Sequence, residues 1–149
     1  MSWIEEKAIE VRKQFRTNNV YELCALLNIP IIPQALGLKN SMIVTKNGKS
    51  VISVRPDAER WLKAYFIGHE LGHYFCHEGI DPDLDDSISL PNKEKMEKEA
   101  DTFSLSLLFI DEENVMSKGG TIESFCNATG LPQDLFREWR NVYQEPYND

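Results

Sequence analysis

Cysteine is scarce in this chain and poorly placed for a framework. Cys24, Cys76 and Cys126 stand about fifty residues apart, and no Cys-x-x-Cys pair occurs. An odd number at that spacing argues against a disulfide scaffold and against a cysteine-rich zinc site, and leaves buried, reduced thiols as the expectation. Positive charge is also short. The 149 residues carry 16 Lys and Arg against 24 Asp and Glu, a net charge of −8. A general grip on DNA or RNA needs clustered basic residues, so direct nucleic-acid binding is not expected, while a basic protein partner stays open. Long apolar runs are missing. The longest patch, "FSLSLLFI" from Phe103 to Ile110, is broken by serines and falls well below the roughly 20 residues of a membrane span. The start, "MSWIEEKAIEVRKQF", is charged from its fifth residue and has no apolar h-region, which predicts no signal peptide and a cytosolic setting. Histidine is the fourth scarcity. There are three, and all lie in "IGHELGHYFCHEG", Ile67 to Gly79.

What is present suits one globular domain over 1–149, with 42% apolar and 27% charged residues. No internal repeat or low-complexity tract interrupts it. Ile4, Ala8, Val11 and Phe15 share helical spacing, which predicts a helix from Ile4 to about Phe15. "NNVYELCALLNI" predicts a second, capped near Asn18 or Asn19. "PIIPQALGLKN" reads as a bend, or a short strand and turn. Two β-branched runs, Met42–Thr45 and Val51–Val54, flank Asn47-Gly48 and predict a hairpin closed by a type I′ turn. A long helix is expected from Pro56 and Asp57 to a stop at Gly79. An exposed acidic loop follows, Asp81 to Asp86, then a helix from about Lys93 to Ile110. After a break at Ser117 to Gly120, two short helices are expected at 121–129 and 132–143, forming a cap on a core of about 19–110. The fold class is α+β: compact, mainly helical, with one small antiparallel sheet and C-terminal helices.

His69-Glu70-Leu71-Gly72-His73 is HExxH on a helix. Residues i and i+4 share a face, so two imidazoles can converge on one zinc ion, with Glu70 placed to act as general base on a water. A catalytic zinc needs a third protein ligand. His77 lies about 12 Å along the axis from His69 at 1.5 Å per residue, too far to share one ion on a straight helix. A metzincin-type third histidine would fall where this chain has Gly79. The better candidate is downstream, in "EKEAD". Glu97 and Asp101 are four apart on one face, while Glu99 is turned about 200° from Glu97 and is expected in solvent. The site is therefore assigned to His69, His73 and Glu97 as ligands of one zinc per chain, Glu70 as catalytic base, and Asp101 as the group that orients a ligating imidazole, His69 above all. Gly72 should let another backbone approach closely. His77 is assigned to the helix C-terminus, near the negative end of its dipole. Tyr65 and Tyr74 are given core or rim duty, and Cys76 is left out of the site.

"HELGHYFCH" followed by "EKEADTFSLSLL", preceded by "VISVRPDAERWLKAYFIGHELGH", resembles the ImmA/IrrE metallopeptidases. The second motif is similar to that family's "ExEADxFAxxLLMP" pattern, and the likeness covers roughly Asn19 to Ile110. The resemblance implies a gluzincin-like, zincin-type core with His69, His73 and Glu97 as ligands and Glu70 as catalytic glutamate. It also implies a protein substrate. Members in prophages and mobile elements relieve repression by cleaving or otherwise inactivating a helix-turn-helix, DNA-binding repressor. Two departures fall on packing and helix-end positions: Ser104-Leu105, and Phe109-Ile110-Asp111. The competing function is an anti-repressor that binds its partner without chemistry, its metal site structural or vestigial. The substrate is expected to lie extended along the Met42–Val54 hairpin, and the acidic loop either to be solvated or to select a basic partner.

Overall fold

The computed structural model describes residues 2–109 together with Asn127, Gln133, Asp134 and Arg137. Apart from those four, the expected C-terminal helices, the break before them and Cys126 lie outside the described residues.

The chain opens with α1, Trp3–Phe15, and α2, Val20–Leu26. Ser2 and Glu5 cap α1 reciprocally, each side chain bonding the other's backbone N–H, and Ile4, Ala8 and Val11 face the core. Asn19 caps α2 by accepting from the N–H groups of Tyr21 and Glu22 at 3.0 and 3.2 Å.

Three strands follow: β1, Ile31–Pro33; β2, Ser41–Lys46; and β3, Lys49–Val54. The hairpin turns on Asn47 and Gly48, whose φ angles are 52° and 74°. Both are positive, as the type I′ geometry requires. The sheet is mixed rather than purely antiparallel, in the order β1-β3-β2. β3 has a second edge beyond the hairpin, and β1 fills it in parallel, pairing Ile31 with Ile52. Among the described residues, β2 is left with an open edge.

The long helix α3 is Arg60–Cys76, a later start than Pro56-Asp57 suggests. The reason is local. Both Asp57 carboxylate oxygens accept from the Arg55 guanidinium at 2.8 and 3.1 Å, so Asp57 is drawn away from capping. Glu59 takes the cap position without a side-chain cap bond. α3 ends at Cys76, and Glu78 and Gly79 follow with φ 56° and 74°. The next segment is less exposed than expected. Asp81 is buried and accepts from the Asp83 N–H within a short 3₁₀ turn, Pro82–Leu84. Lys39 reaches over to Asp83 at 2.9 Å and to Asp81 at 3.5 Å. The last described helix, α4, is Leu90–Phe109. It begins three residues before Lys93, because Ser89 accepts the N–H groups of Asn92 and Lys93.

The core lies between α3, α4, α1 and the sheet, and is built on Ile67, Leu71, Phe103, Leu107, Val11, Leu23, Ile43 and Ile52. What brings α3 and α4 together is the absence of side chains. A Cβ on Gly72 would stand 2.9 Å from the Ala100 Cα, and one on Gly68 would overlap the Ser104 hydroxyl. Ser104 is buried there and donates to the Tyr65 carbonyl at 2.8 Å. Cys24 and Cys76 are free thiols, and burial pushes both up to about 12, so neither is a ready nucleophile. No helix among the described residues is long and apolar enough to cross a membrane.

Candidate metal centre

Residues on α3 and α4 meet where the two backbones pass closest. His69 and His73 project from successive turns of α3, and their Nε2 atoms are 3.2 Å apart. Glu97 on α4 closes the group. Its Oε1 is 2.9 Å from His73 Nε2, and its Oε2 is 3.4 Å from His69 Nε2. One ligand atom from each of the three lies within 4.8 Å of the others.

The imidazoles are also held from behind. Asp101 Oδ1 is 2.7 Å from His69 Nδ1 and also accepts from the Tyr65 hydroxyl at 2.9 Å. A carboxylate can only accept, so His69 Nδ1 carries the hydrogen, and in the neutral ring Nε2 keeps the lone pair. Two Nε2 atoms and a carboxylate oxygen facing one another are short of positive charge. Without an ion, a proton has to serve. Burial works against charge on His69, but its bonds to Asp101 and Glu97 outweigh that and raise it to about 10. Glu97 moves the opposite way: burial is overcome by the two histidines, which hold it well below the usual carboxylate range. The donor set and its charge balance therefore fit a divalent cation.

Glu70 sits beside this group, almost fully buried. One oxygen accepts from the Ser41 hydroxyl at 2.7 Å and lies 3.9 Å from His69 Nε2. The other oxygen, Oε1, is buried with no partner among the described residues. Burial raises Glu70 above the ordinary carboxylate value, against the pull of His69 and His73. The side chain opens on a cleft of about 320 Å³ that Ser41, Tyr65, His69, Glu97 and Asp101 also line. A buried carboxylate with a raised pKa and an unused oxygen in a cleft is what proton transfer requires.

All five residues singled out in the sequence thus share one site. Three others escaped that reading. Ser41 is one, because a hydroxyl on β2 has no visible link in sequence to Glu70. His77 and Glu99 are the others, and Glu99 corrects an expectation. His77 does end α3, but its ring is engaged between His73 and Glu99, at 2.9 Å and 3.0 Å. Glu99 is not in solvent; its side chain is 16% exposed. Ala100 is the contact ridge of α4, so Glu97 and Asp101 fall on one flank of it and Glu99 on the other. Because Gly72 lets that ridge come so close, both flanks reach α3. The His-x₃-His-x₃-His spacing was the available signal. A second group, Asp81, Asp83 and Glu97, could also approach one ion, but the Lys39 ammonium already bonds two of its members.

The sequence profile of the IrrE N-terminal-like domain of the M78 peptidases matches residues 24–114, which contain every residue of the site. The chain belongs to this metallopeptidase family. Among the family's relatives of this chain, Metallopeptidase ImmA of Bacillus subtilis (strain 168) is 30% identical over 109 residues, 73% of this chain and 64% of its own length. The Uncharacterized immunity region protein 2 of Bacillus phage phi105 is 27% identical over 127 residues, 83% of this chain and 80% of the phage protein. The chain thus spans just under two thirds of the length of ImmA. No solved structure matches it.

Proposed function

We propose that this chain is a zinc-dependent endopeptidase of the M78 family that cleaves and inactivates a regulatory protein in the cytosol, a helix-turn-helix repressor before others. The observation that carries the reading is the convergence of His69, His73 and Glu97 beside the buried, half-unpartnered carboxylate of Glu70. The regulatory target is suggested by the relatives' names, a metallopeptidase and a phage immunity region protein.

His69, His73 and Glu97 would hold the ion, which supplies Lewis acidity: zinc polarises a carbonyl and brings the pKa of water to about 7. The rest is the work of the chain's own side chains. Glu70 takes the proton of the attacking water on Oε1 and passes it to the departing amide nitrogen. Ser41 holds its other oxygen, so the carboxylate keeps one orientation throughout. The raised pKa of Glu70 helps the return half of that transfer, because a carboxylate too acidic would not hold the proton long enough to deliver it. The open edge of β2, which begins at Ser41, offers backbone donors and acceptors to an extended substrate beside the cleft.

The test is Glu70→Gln assayed against a purified helix-turn-helix repressor. The variant should keep one zinc per chain and lose cleavage by about 10²–10⁴-fold, the range of general acid–base catalysis. A Glu70→Gln protein that still relieves repression in full would favour the competing reading, inactivation by binding alone.

A further inference from the structure

The third histidine of α3 is neither a ligand nor a surface residue. His77 Nε2 stands 3.0 Å from Glu99 Oε1. The carboxylate has only lone pairs to offer, so His77 Nε2 carries the hydrogen and donates it. A neutral imidazole has one N–H, so the other nitrogen of His77 is an acceptor. That nitrogen, Nδ1, faces His73 Nδ1 at 2.9 Å. The bond between the rings is therefore donated by His73. With its hydrogen on Nδ1, a neutral His73 keeps on Nε2 the lone pair that an ion shared with His69 and Glu97 would take.

Resting on the metal-site reading above, we propose that His77 and Glu99 are positioning residues for the ion. Glu99, His77 and His73 form a two-step relay that fixes the tautomer and ring orientation of the second ligand histidine. Burial supports it. Side-chain exposure is 1% at His73, 7% at His77 and 16% at Glu99, so little solvent competes for these bonds. Packing alone would be served at lower cost by an apolar side chain, since a buried polar group is expensive unless it is bonded. The backbone keeps the geometry in place: the N–H groups of His77 and Gly79 both donate to the His73 carbonyl, at 3.0 and 2.9 Å. Glu99 polarises His77 and makes it the stronger acceptor, which in turn raises the basicity of His73 toward an ion.

The experiment measures zinc dissociation constants by competition with a chromophoric chelator, on the full chain and on His77→Leu, His77→Asn and Glu99→Gln. The proton between the two rings is followed by ¹⁵N-edited NMR of the zinc-loaded proteins. His77→Leu should raise the dissociation constant about 10–100-fold, as loss of an outer partner does, and should remove the slowly exchanging His73 Nδ1–H signal. His77→Asn, whose amide oxygen can stand where Nδ1 stood, should recover most of both. Glu99→Gln should fall between. Affinity within about twofold of wild type in both His77→Leu and Glu99→Gln would overturn the relay, judged against the 10–100-fold scale. So would His77→Leu binding as well as His77→Asn, because packing alone then explains His77. If His77→Leu does not fold, Glu99→Gln decides by the same limit. A wild type that binds no zinc overturns the relay and the metal reading together. A wild type that binds zinc, with indifferent variants, overturns the relay alone.

Discussion

The two histidines of one pentad, spaced for the same task, live in different surroundings. His69 stands at the cleft, and the carboxylate behind it, Asp101, has a side chain 42% exposed and is steadied by the Tyr65 hydroxyl. His73 is sealed in, and behind it stands another ring, itself backed by a carboxylate. The difference follows from where each turn of α3 meets α4. His69 meets Glu97 and Asp101 at the cleft, whereas His73 meets Glu97 on one side and, through the His77 ring, Glu99 on the other. An exposed partner can be replaced in part by water, and a buried one cannot. A histidine at the cleft can thus rely on a single carboxylate, and a histidine in the core needs its bonds supplied by protein.

The largest expected effect comes from the one residue common to both sides. Glu97→Ala removes the carboxylate that touches both imidazoles, and should weaken zinc binding well beyond the ~10–100-fold typical of an outer partner. Elemental analysis of wild type and variant purified side by side reads this directly. Zinc retained equally in both would move the third ligand elsewhere. Next comes the comparison itself. Asp101→Ala should cost about 10-fold in zinc affinity, the low end of that range, because solvent reaches His69 Nδ1 once the carboxylate is gone. A loss as large as that of His77→Leu in the same chelator competition would erase the distinction between the two sides.

The contact that creates both flanks can be broken without touching a polar group. Gly72→Ala forces a methyl against the Ala100 backbone and should cost about 1–3 kcal/mol, as over-packing does, read as a lower midpoint in urea. Gly68→Ala should be destabilising for the same reason, and here the obstacle is a side-chain atom. Adding Ser104→Ala should restore part of the loss, since the Ser104 hydroxyl is what the new methyl overlaps. A double variant no more stable than Gly68→Ala would place the strain in the backbone instead.

The smallest effect is one of pH in metal-free protein. His69 is raised from 6.5 to about 10 in the folded state, against burial, by Asp101 and Glu97. A group whose folded pKa is raised adds stability that is fully present below its unfolded value and is lost as pH climbs through the folded one. Thermal midpoints of chelator-treated protein should therefore fall between about pH 6.5 and 10, and the fall should be smaller in His69→Gln.

Much of this was legible in the sequence, for reasons tied to particular residues. Ile4, Ala8 and Val11 declare the inner face of α1, and Asn47-Gly48 declares its turn because few other pairs tolerate two positive φ angles. HExxH and the later Glu-x₃-Asp place their members on single helix faces whatever the fold. The start of α3 is not legible because Arg55 engages Asp57, a pairing that competes with capping and leaves no periodic trace. Glu99 was misread because a helical wheel gives angles about one axis and says nothing of how near the next helix lies.

The sequence by itself determined the chemistry available: two imidazoles a turn apart, a glutamate beside the first, and a second carboxylate one helix later. These depend on local geometry, fixed by 3.6 residues per turn. Only the tertiary structure decided which groups stand behind the two imidazoles, that Ser41 holds Glu70, and that the His77 ring stands between His73 and Glu99. Those contacts span 29 and 22 residues of chain. The contacts between α3 and α4 exist because Gly72 has no side chain to keep α4 away, and how closely two helices pack is a property of the fold rather than of either helix alone.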